Sequence, residues 1–328
     1  MKPKIEGLLH DHIDGSAALV GVIEDLYRLA GRPFPFPSIG AWRSFFQDPY
    51  EDIVKRFATV TGVLQSAESL RLVGRAYGRH RAAEGYRYVE AKFAPQYHVF
   101  GGLSLDEAAR AMYDGLKQAE KECGIIILPV LCIGREASPG TGVRIARICL
   151  DYGGEVAMDL ACDEAGHPPE KHLPAFRVTC GTCVKRDCHA GEWVAREPAA
   201  TYRQRLLANV RTAARVLKAD GIGHAIPLAD DPELVAYVAD QGIRITGCPA
   251  SYVRSGLIAD PRELRIDELL DRDVIYTLNA DDDLFLPPMD QVIADADRAY
   301  GFTADQAAKF ERNVWLGAFA RPALILGR

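Results

Sequence analysis

Lys4-Ile5-Glu6-Gly7-Leu8-Leu9-His10-Asp11-His12 opens the chain as a short apolar strand that runs into two histidines. A strand period of two places both imidazoles on one face and turns Asp11 to the other. Two nitrogen donors then converge at a strand tip, an arrangement that ordinary hydrogen-bonded histidines also produce. The pair gains meaning from what recurs downstream, because His189, His224 and Asp281 each end a strand-like run. His10, His12, His189 and Asp281 form a set able to hold one zinc ion. A ligand set spread over the whole chain, yet always at strand ends, predicts a closed parallel barrel with its chemistry on one rim.

The rest of the chain fits that outline. Strand-like runs recur at Ile5 to His10, Arg87 to Phe93, Ile125 to Ile133, Glu155 to Ala161, Val184 to His189, Ile222 to His224, Ile243 to Cys248 and Val274 to Leu278. Helix formers fill the intervals at Leu105 to Lys121, Gly142 to Tyr152, Tyr202 to Lys218, Pro232 to Gln241, Asp290 to Tyr300 and Ala304 to Leu316. Alternation of this kind is the pattern of parallel β/α units. Gly221 and Gly242 stand where helix C-caps would release the chain into the next strand. The fold class expected is therefore α/β, a (β/α)8 TIM barrel in one domain over residues 1–328. The first connection is the exception. Residues 16–84 exceed a single crossover helix and carry Trp42, Phe45, Phe46, Ile53, Val54 and Phe57 at mixed helical spacing. They read either as a helix pair packed on the barrel or as a lid over its mouth.

With 328 residues and 48% hydrophobic content, the chain can build one large core. A net charge of -6 leaves no basic field for a polyanion, so no nucleic-acid partner is expected. No apolar stretch approaches ~20 residues and no apolar leader precedes the first strand, so no membrane partner is expected and a cytoplasmic location is. The chain alone leaves monomer and homo-oligomer open. The eight cysteines lie mostly in or beside apolar runs and read as reduced thiols. Cys180, Cys183 and Cys188 loosely match a metal or redox spacing but lack a fourth ligand.

His189-Ala190-Gly191-Glu192 ends the fifth strand. There an imidazole can complete a three-nitrogen site, while the small residues turn the chain so that Glu192 can face the same cavity as a non-ligand proton carrier. Glu192 in the first turn of a helix is the plainer alternative. His224 reads as a ligand, as a base beside a metal-activated water, or as a buried histidine held by backbone. Asn279-Ala280-Asp281-Asp282-Asp283 puts three acids in succession, which repel unless a cation or hydrogen-bond donors separate them. A dinucleotide fingerprint, a phosphate loop and a His-Glu-x-x-His helix are all missing from the sequence.

Taken in order, seven segments resemble the adenosine deaminase family of the amidohydrolase superfamily. They are 9–15, 88–95, 159–164, 188–192, 223–224, 248–251 and 278–282. The resemblance implies that His10, His12, His189 and Asp281 bind one Zn2+ per chain and that His224 orients or deprotonates the attacking water. It further implies that Glu192 protonates N1 of a purine, Asp282 hydrogen-bonds N7, and Asp14 faces the sugar. Asp281 then serves both the metal and the catalysis. The small-molecule partner expected is a 6-aminopurine, adenosine or a modified adenosine, with adenine or another adenine derivative as the alternative. A non-purine amidohydrolase is the more distant reading, and a structural zinc in a binding protein is a further one. The chain departs from the family at Cys162, where a glycine backbone usually approaches the purine, at Tyr252, where many bacterial relatives carry a small polar residue, and at Asp283, which replaces a common proline.

Overall fold

The computed structural model describes residues 3–48, 52–193 and 199–320. Eight parallel strands alternate with helices: β1 (Gly7–His12), β2 (Tyr88–Phe93), β3 (Ile126–Gly134), β4 (Ala157–Ala161), β5 (His189–Ala190), β6 (Gly221–His224), β7 (Arg244–Gly247) and β8 (Tyr276–Leu278). They form two four-stranded parallel sheets, β1-β2-β3-β4 and β5-β6-β7-β8. Both seams between the sheets carry parallel bridges. Met158 bridges Arg186, with the Asp187 amide donating to the Met158 carbonyl at 2.7 Å. At the other seam Asp11 bridges Asp281, and the His12 amide donates to the Asp281 carbonyl at 3.0 Å. The fold is the α/β barrel expected, with all eight strand runs present.

Strands β2, β3 and β4 are buried almost throughout, as parallel strands covered by helices on one side and a filled barrel on the other must be. The barrel filling is layered. Leu9, Tyr88, Leu128, Val130 and Ala157 close one end together with Phe319 and Ala320. Above them Glu90, Lys92, Asp159, Asp187 and Arg244 are fully or almost fully buried charged groups. The histidines and Asp281 lie at the C-terminal rim.

Local signals explain the element ends. Ser104 and Glu107 form a reciprocal cap at the start of helix Leu105–Cys123, which ends on Gly124 in the left-handed conformation. Gly242, at φ +62, releases its helix as expected. Gly221 does not: it belongs to β6, where a Cβ would lie 2.7 Å from Arg244 Nε, so its smallness makes room for a buried guanidinium. The β5 ladder is shorter than the run Val184 to His189 suggested, because only His189–Ala190 pairs as a strand and Arg186 makes an isolated bridge.

The insertion is richer than a helix pair. It holds helices Ile23–Leu29, Ile39–Gln47, Ile53–Thr61 and Ala67–Ala83 after a short 3-10 turn. Ala67–Ala83 packs against Leu105–Cys123 at glycine contacts; a Cβ on Gly115 would lie 2.4 Å from the Arg71 carbonyl. Phe46 and Phe57 pack against Phe285, which follows β8, with ring centroids 6.2 and 6.1 Å apart. Arg254, which follows β7, donates to the Gln47 carbonyl at 2.6 Å. Helices Ile39–Gln47 and Ile53–Thr61 therefore rest on segments that leave the C-terminal ends of β7 and β8. No helix among the described residues is long and apolar enough to cross a membrane.

Candidate metal centre and active site

A bulge in β1 aims the first two donors. Leu8 pairs with Val89 and Asp11 with Ala91, so β1 carries one residue more than β2 over that interval. Leu9 consequently packs inside the barrel with Tyr88 while His10 and His12, two residues apart, both face the rim. Asp11 turns away, as the strand period predicts, and is held by Arg81 at 2.7 and 2.8 Å.

His10, His12 and His189 bring one ring nitrogen each to a common point. His12 Nε2 lies 3.2 Å from His189 Nε2, and Asp281 Oδ1 lies 3.7 Å from His10 Nε2 and 3.6 Å from His12 Nε2. A tetrahedral ion with bonds of ~2.0–2.1 Å needs donors about 3.3–3.4 Å apart, so these separations fit zinc. Thr246 Oγ1 is 2.9 Å from His10 Nδ1, which leaves His10 Nε2 buried with no hydrogen-bond partner. Burial, followed by neighbouring positive charge, pushes the pKa of both His10 and His12 well below the usual imidazole value. Neutral imidazoles with an unshared electron pair in a dry pocket are the donor set that a borderline-soft cation takes.

The groups for proton transfer flank this centre. Glu192, Asp281 and His224 gather around one point, with Glu192 Oε2 3.2 Å from His224 Nε2. Removal from water, then the charges of Asp281 and Glu164, push the pKa of Glu192 well above the ordinary carboxylate value. The loop that presents it is organised by Glu164, whose carboxylate accepts from the amides of Gly191, Glu192 and Trp193 at 2.8, 3.0 and 3.0 Å. The Tyr252 hydroxyl accepts from the Cys248 amide at 2.8 Å and lies 3.1 Å from His224 Nδ1. The His224 ring is thus bracketed by the Tyr252 hydroxyl at Nδ1 and the Glu192 carboxyl at Nε2. The departure at Tyr252 thus orients a rim histidine.

The three-acid run divides into three environments. Asp281 joins the histidines. Asp282 Oδ1 is buried without a partner, and its pKa is pushed well up by burial and then by the charges of Asp281 and Asp14. Asp283 turns instead to the buried Arg81, 2.7 Å from its Nη1, and to the Ala17 amide at 2.7 Å. The cation expected to relieve this run is thus Arg81 for the third member. Asp14 stands beside the same opening, its pKa raised by burial to about 6. Gly15 is needed there because a Cβ would lie 1.6 Å from Asp282 Oδ1.

Cys162, at the end of β4, adopts φ +77. Cys162, His224, Ala225 and Asp281 are four of the seven non-glycine residues with positive φ among the described residues, so backbone strain concentrates at this rim. All eight cysteines are free; Cys188 is buried while Cys180 and Cys183 are exposed, so these three do not assemble a second metal site.

Sequence reasoning missed the layer beneath the ligands. His189 Nδ1 lies 2.9 Å from Asp159 Oδ2, the arrangement that fixes a metal-binding imidazole with Nε2 free. Lys92 Nζ sits 2.9 Å from both Asp159 and Asp187, and Arg244 joins Asp187 at 2.8 Å to Glu90 at 2.6 and 2.7 Å. Despite burial, which raises it, the His189 ring and Lys92 hold Asp159 well below its ordinary pKa. The available signal was a charged residue at alternate, inward positions of otherwise apolar strands: Glu90 and Lys92 in β2, and Asp159 in β4.

Comparison with known proteins agrees with this architecture. An adenosine deaminase of Mycobacterium sp. (strain KMS) is 27% identical over 336 residues, covering 96% of this chain and 90% of that protein. Among solved structures, adenine deaminase from Arthrobacter aurescens superposes with a TM-score of 0.81 at 24% identity, over 98% of this chain and 95% of its own. An amidohydrolase from Burkholderia ambifaria with bound zinc gives 0.81 at 24%, over 97% and 86%. The N6-methyl-AMP deaminase of Arabidopsis thaliana gives 0.81 at 19%, over 99% and 94%. These structures share the fold. A family model described as adenosine deaminase matches residues 3–323, and the chain belongs to the adenosine deaminase family of hydrolytic deaminases.

Proposed function

We propose that the chain is a zinc-dependent deaminase that converts a 6-aminopurine nucleoside, adenosine or a modified adenosine, to its 6-oxo product and ammonia. The observation that carries this reading is the placement of two carboxyls whose pKa is pushed upward: Glu192, which meets His224 and Asp281 at one point, and Asp282, buried next to Asp281 in the chain with Oδ1 unpartnered. A purine presents two acceptor nitrogens at such a site, N1 and N7, and each needs a donor; a simple amide or ester needs neither. His10, His12, His189 and Asp281 hold the metal, in keeping with the unpartnered His10 Nε2. Zinc in this site supplies Lewis acidity that brings the pKa of water toward ~7.

The protein groups then divide the work. Water adds to C6, one of its protons passes to the departing amino nitrogen and the other restores the Glu192 carboxyl, and the bond from C6 to that nitrogen breaks as ammonia leaves. Glu192 gives its proton to N1, so that the ring accepts the electron pair displaced at C6. His224, fixed by Tyr252, orients the attacking water. Asp282 donates to N7, and Asp14 faces the sugar. We read residues 1–328 as one barrel domain and residues 16–84 as the cover of its mouth, supported by the contacts of Phe46, Phe57 and Gln47 with the segments after β7 and β8. A closed mouth keeps bulk water from the reacting carbon.

Adenine is the second reading, and Cys162 favours it. A side chain at that rim position takes space from a substituent on the purine. Cys162→Gly is expected to shift the adenosine-to-adenine ratio of kcat/KM by roughly 10-fold, the scale of pocket reshaping, and to relieve a left-handed backbone that costs about 1–2 kcal/mol. An unchanged ratio would remove Cys162 from the pocket.

The deciding assay incubates the purified protein with adenine, adenosine, deoxyadenosine and 5′-modified adenosines and follows ultraviolet absorbance and ammonia release. Turnover is expected to disappear on chelation and to return with added zinc. Full activity in chelated protein with no residual metal, or no ammonia from any adenine compound, would contradict the proposal.

A further inference from the structure

One arginine beside the opening has no part in the chemistry above. Arg81, on helix Ala67–Ala83 of the insertion, is buried, and all its N–H donors meet acceptors. Its Nε and Nη2 hold the Asp11 carboxylate at 2.7 and 2.8 Å, and Nη2 reaches the Ser16 hydroxyl at 3.3 Å. Its Nη1 lies 2.8 Å from Glu84 Oε2 and 2.7 Å from Asp283 Oδ2. His80, Glu84 and Asp283 gather as the ligands of a cation would, and the guanidinium already sits between the two acids. One side chain therefore bonds the insertion both to the β1 tip and to the loop after β8.

Asp283 is gripped from two directions. Its Oδ1 accepts from the Ala17 amide at 2.7 Å while Oδ2 meets Arg81, so both oxygens are engaged. Backbone bonds close the same seam: the Asp281 amide donates to the His10 carbonyl at 3.2 Å, and the Leu284 amide to the Gly15 carbonyl at 2.9 Å. Asp282 stands between these anchors. Its Oδ1 is buried without a partner and lies so close to Gly15 that a Cβ there would come within 1.6 Å. The Phe285 amide donates to the Asp282 carbonyl at 3.3 Å, which makes Asp283 the second residue of a turn over 282–285. A proline ring can fix the backbone at that position; here an ion pair and an amide hydrogen bond hold it.

We propose that Asp283 is a positioning residue. Clamped between Arg81 and the Ala17 amide, it fixes the turn and so aims the Asp282 carboxyl at N7 of the bound purine. The insertion helix thereby takes part in recognising the base. A hydrogen bond weakens steeply with misalignment, whereas Asp281 is separately held by its bridge to Asp11, so a loosened turn costs the N7 contact before the metal. This deepens the deaminase reading and rests on its assignment of Asp282 to N7.

The test measures calorimetric binding of purine riboside and its 7-deaza analogue, which have no amino group to lose, to zinc-loaded wild type, Asp283→Ala and Asp283→Pro. Adenosine turnover, zinc content and Tm are followed on each. Wild type is expected to bind the N7 compound about 100-fold more tightly, the scale of leaving a buried partner unpaired. Asp283→Ala should narrow that ratio about 10-fold by weakening purine riboside alone, with zinc still near one per chain. Asp283→Pro, which restores the turn without the carboxylate, should recover most of the ratio. Should the alanine variant not fold, Asp283→Asn, which keeps an oxygen for the Ala17 amide, is expected to narrow the ratio by a smaller factor. A merely structural role would weaken both compounds alike, and that result overturns the proposal, as does an unchanged ratio in Asp283→Ala or Asp283→Asn. Narrowing by Asp283→Ala without ammonia release from any adenine compound refutes the deaminase reading alone. Ammonia release by a wild type that does not prefer the N7 compound refutes this inference alone.

Discussion

Glu192→Gln is expected to lower kcat by three orders of magnitude or more while zinc stays near one per chain. General acid catalysis contributes ~10²–10⁴-fold, and here the lost proton is the one that lets the ring accept electron density. The amide keeps the shape of the carboxyl and the loop amides stay anchored on Glu164, so folding and metal binding have no reason to change. His224 Nε2, 3.2 Å from Glu192 Oε2, also keeps an oxygen to face. The loss should therefore appear in kcat and kcat/KM together, the signature of an interaction made in the transition state. Stopped turnover measured beside metal analysis checks this, and wild-type turnover in the Gln variant would remove Glu192 from the chemistry.

The barrel and its rim were legible in the sequence because both depend on short-range rules. Strand tips at His10, His189, His224 and Asp281 follow from apolar runs that end in polar residues, and the parallel order follows from the helices between them. The resemblance pointed to Glu192, which meets His224 and Asp281 at one point in the structure, and to Asp282, buried next to Asp281 in the chain. The β1 bulge was hidden, since a one-residue excess exists only relative to β2. Gly221 misled for a similar reason: glycine after a helix suggests a cap, whereas this one clears space for a guanidinium from β7. Arg81 could not be foreseen as the partner of both Asp11 and Asp283, because the three residues come from distant segments and their geometry is tertiary. The same holds for Tyr252 on His224 and Thr246 on His10, where a single hydroxyl fixes a ring. Side-chain chemistry at strand ends can be read in one dimension; its supporting contacts cannot.

Lys92→Met should produce the largest loss of stability, together with a loss of metal affinity. Lys92 is fully buried and is the ammonium shared by Asp159 and Asp187, each 2.9 Å away. Its replacement leaves Arg244 on Asp187 but nothing cationic on Asp159 other than the His189 ring. Breaking a buried ion pair from one side costs about 3–5 kcal/mol, because the stranded charge stays desolvated. In a chain of this size that corresponds to a fall in Tm of roughly 4–7 °C. Asp159 can escape the penalty by taking up a proton, and a neutral carboxyl no longer pulls on the Nδ1–H of His189. The ring then loses the contact that sets its tautomer and direction, for which about 10–100-fold in metal affinity is the usual scale. The two effects are separable. Asp159→Asn removes the charge that Lys92 was balancing, so in the double variant the stability loss should be smaller than the sum of the single losses, while zinc affinity stays low. Thermal unfolding followed with and without chelator, and zinc competition against a metallochromic dye, give the two readings. A Lys92→Met protein that unfolds within 1 °C of wild type would mean that water or Arg244 already satisfies these carboxylates, and the charged layer would then contribute nothing to holding His189.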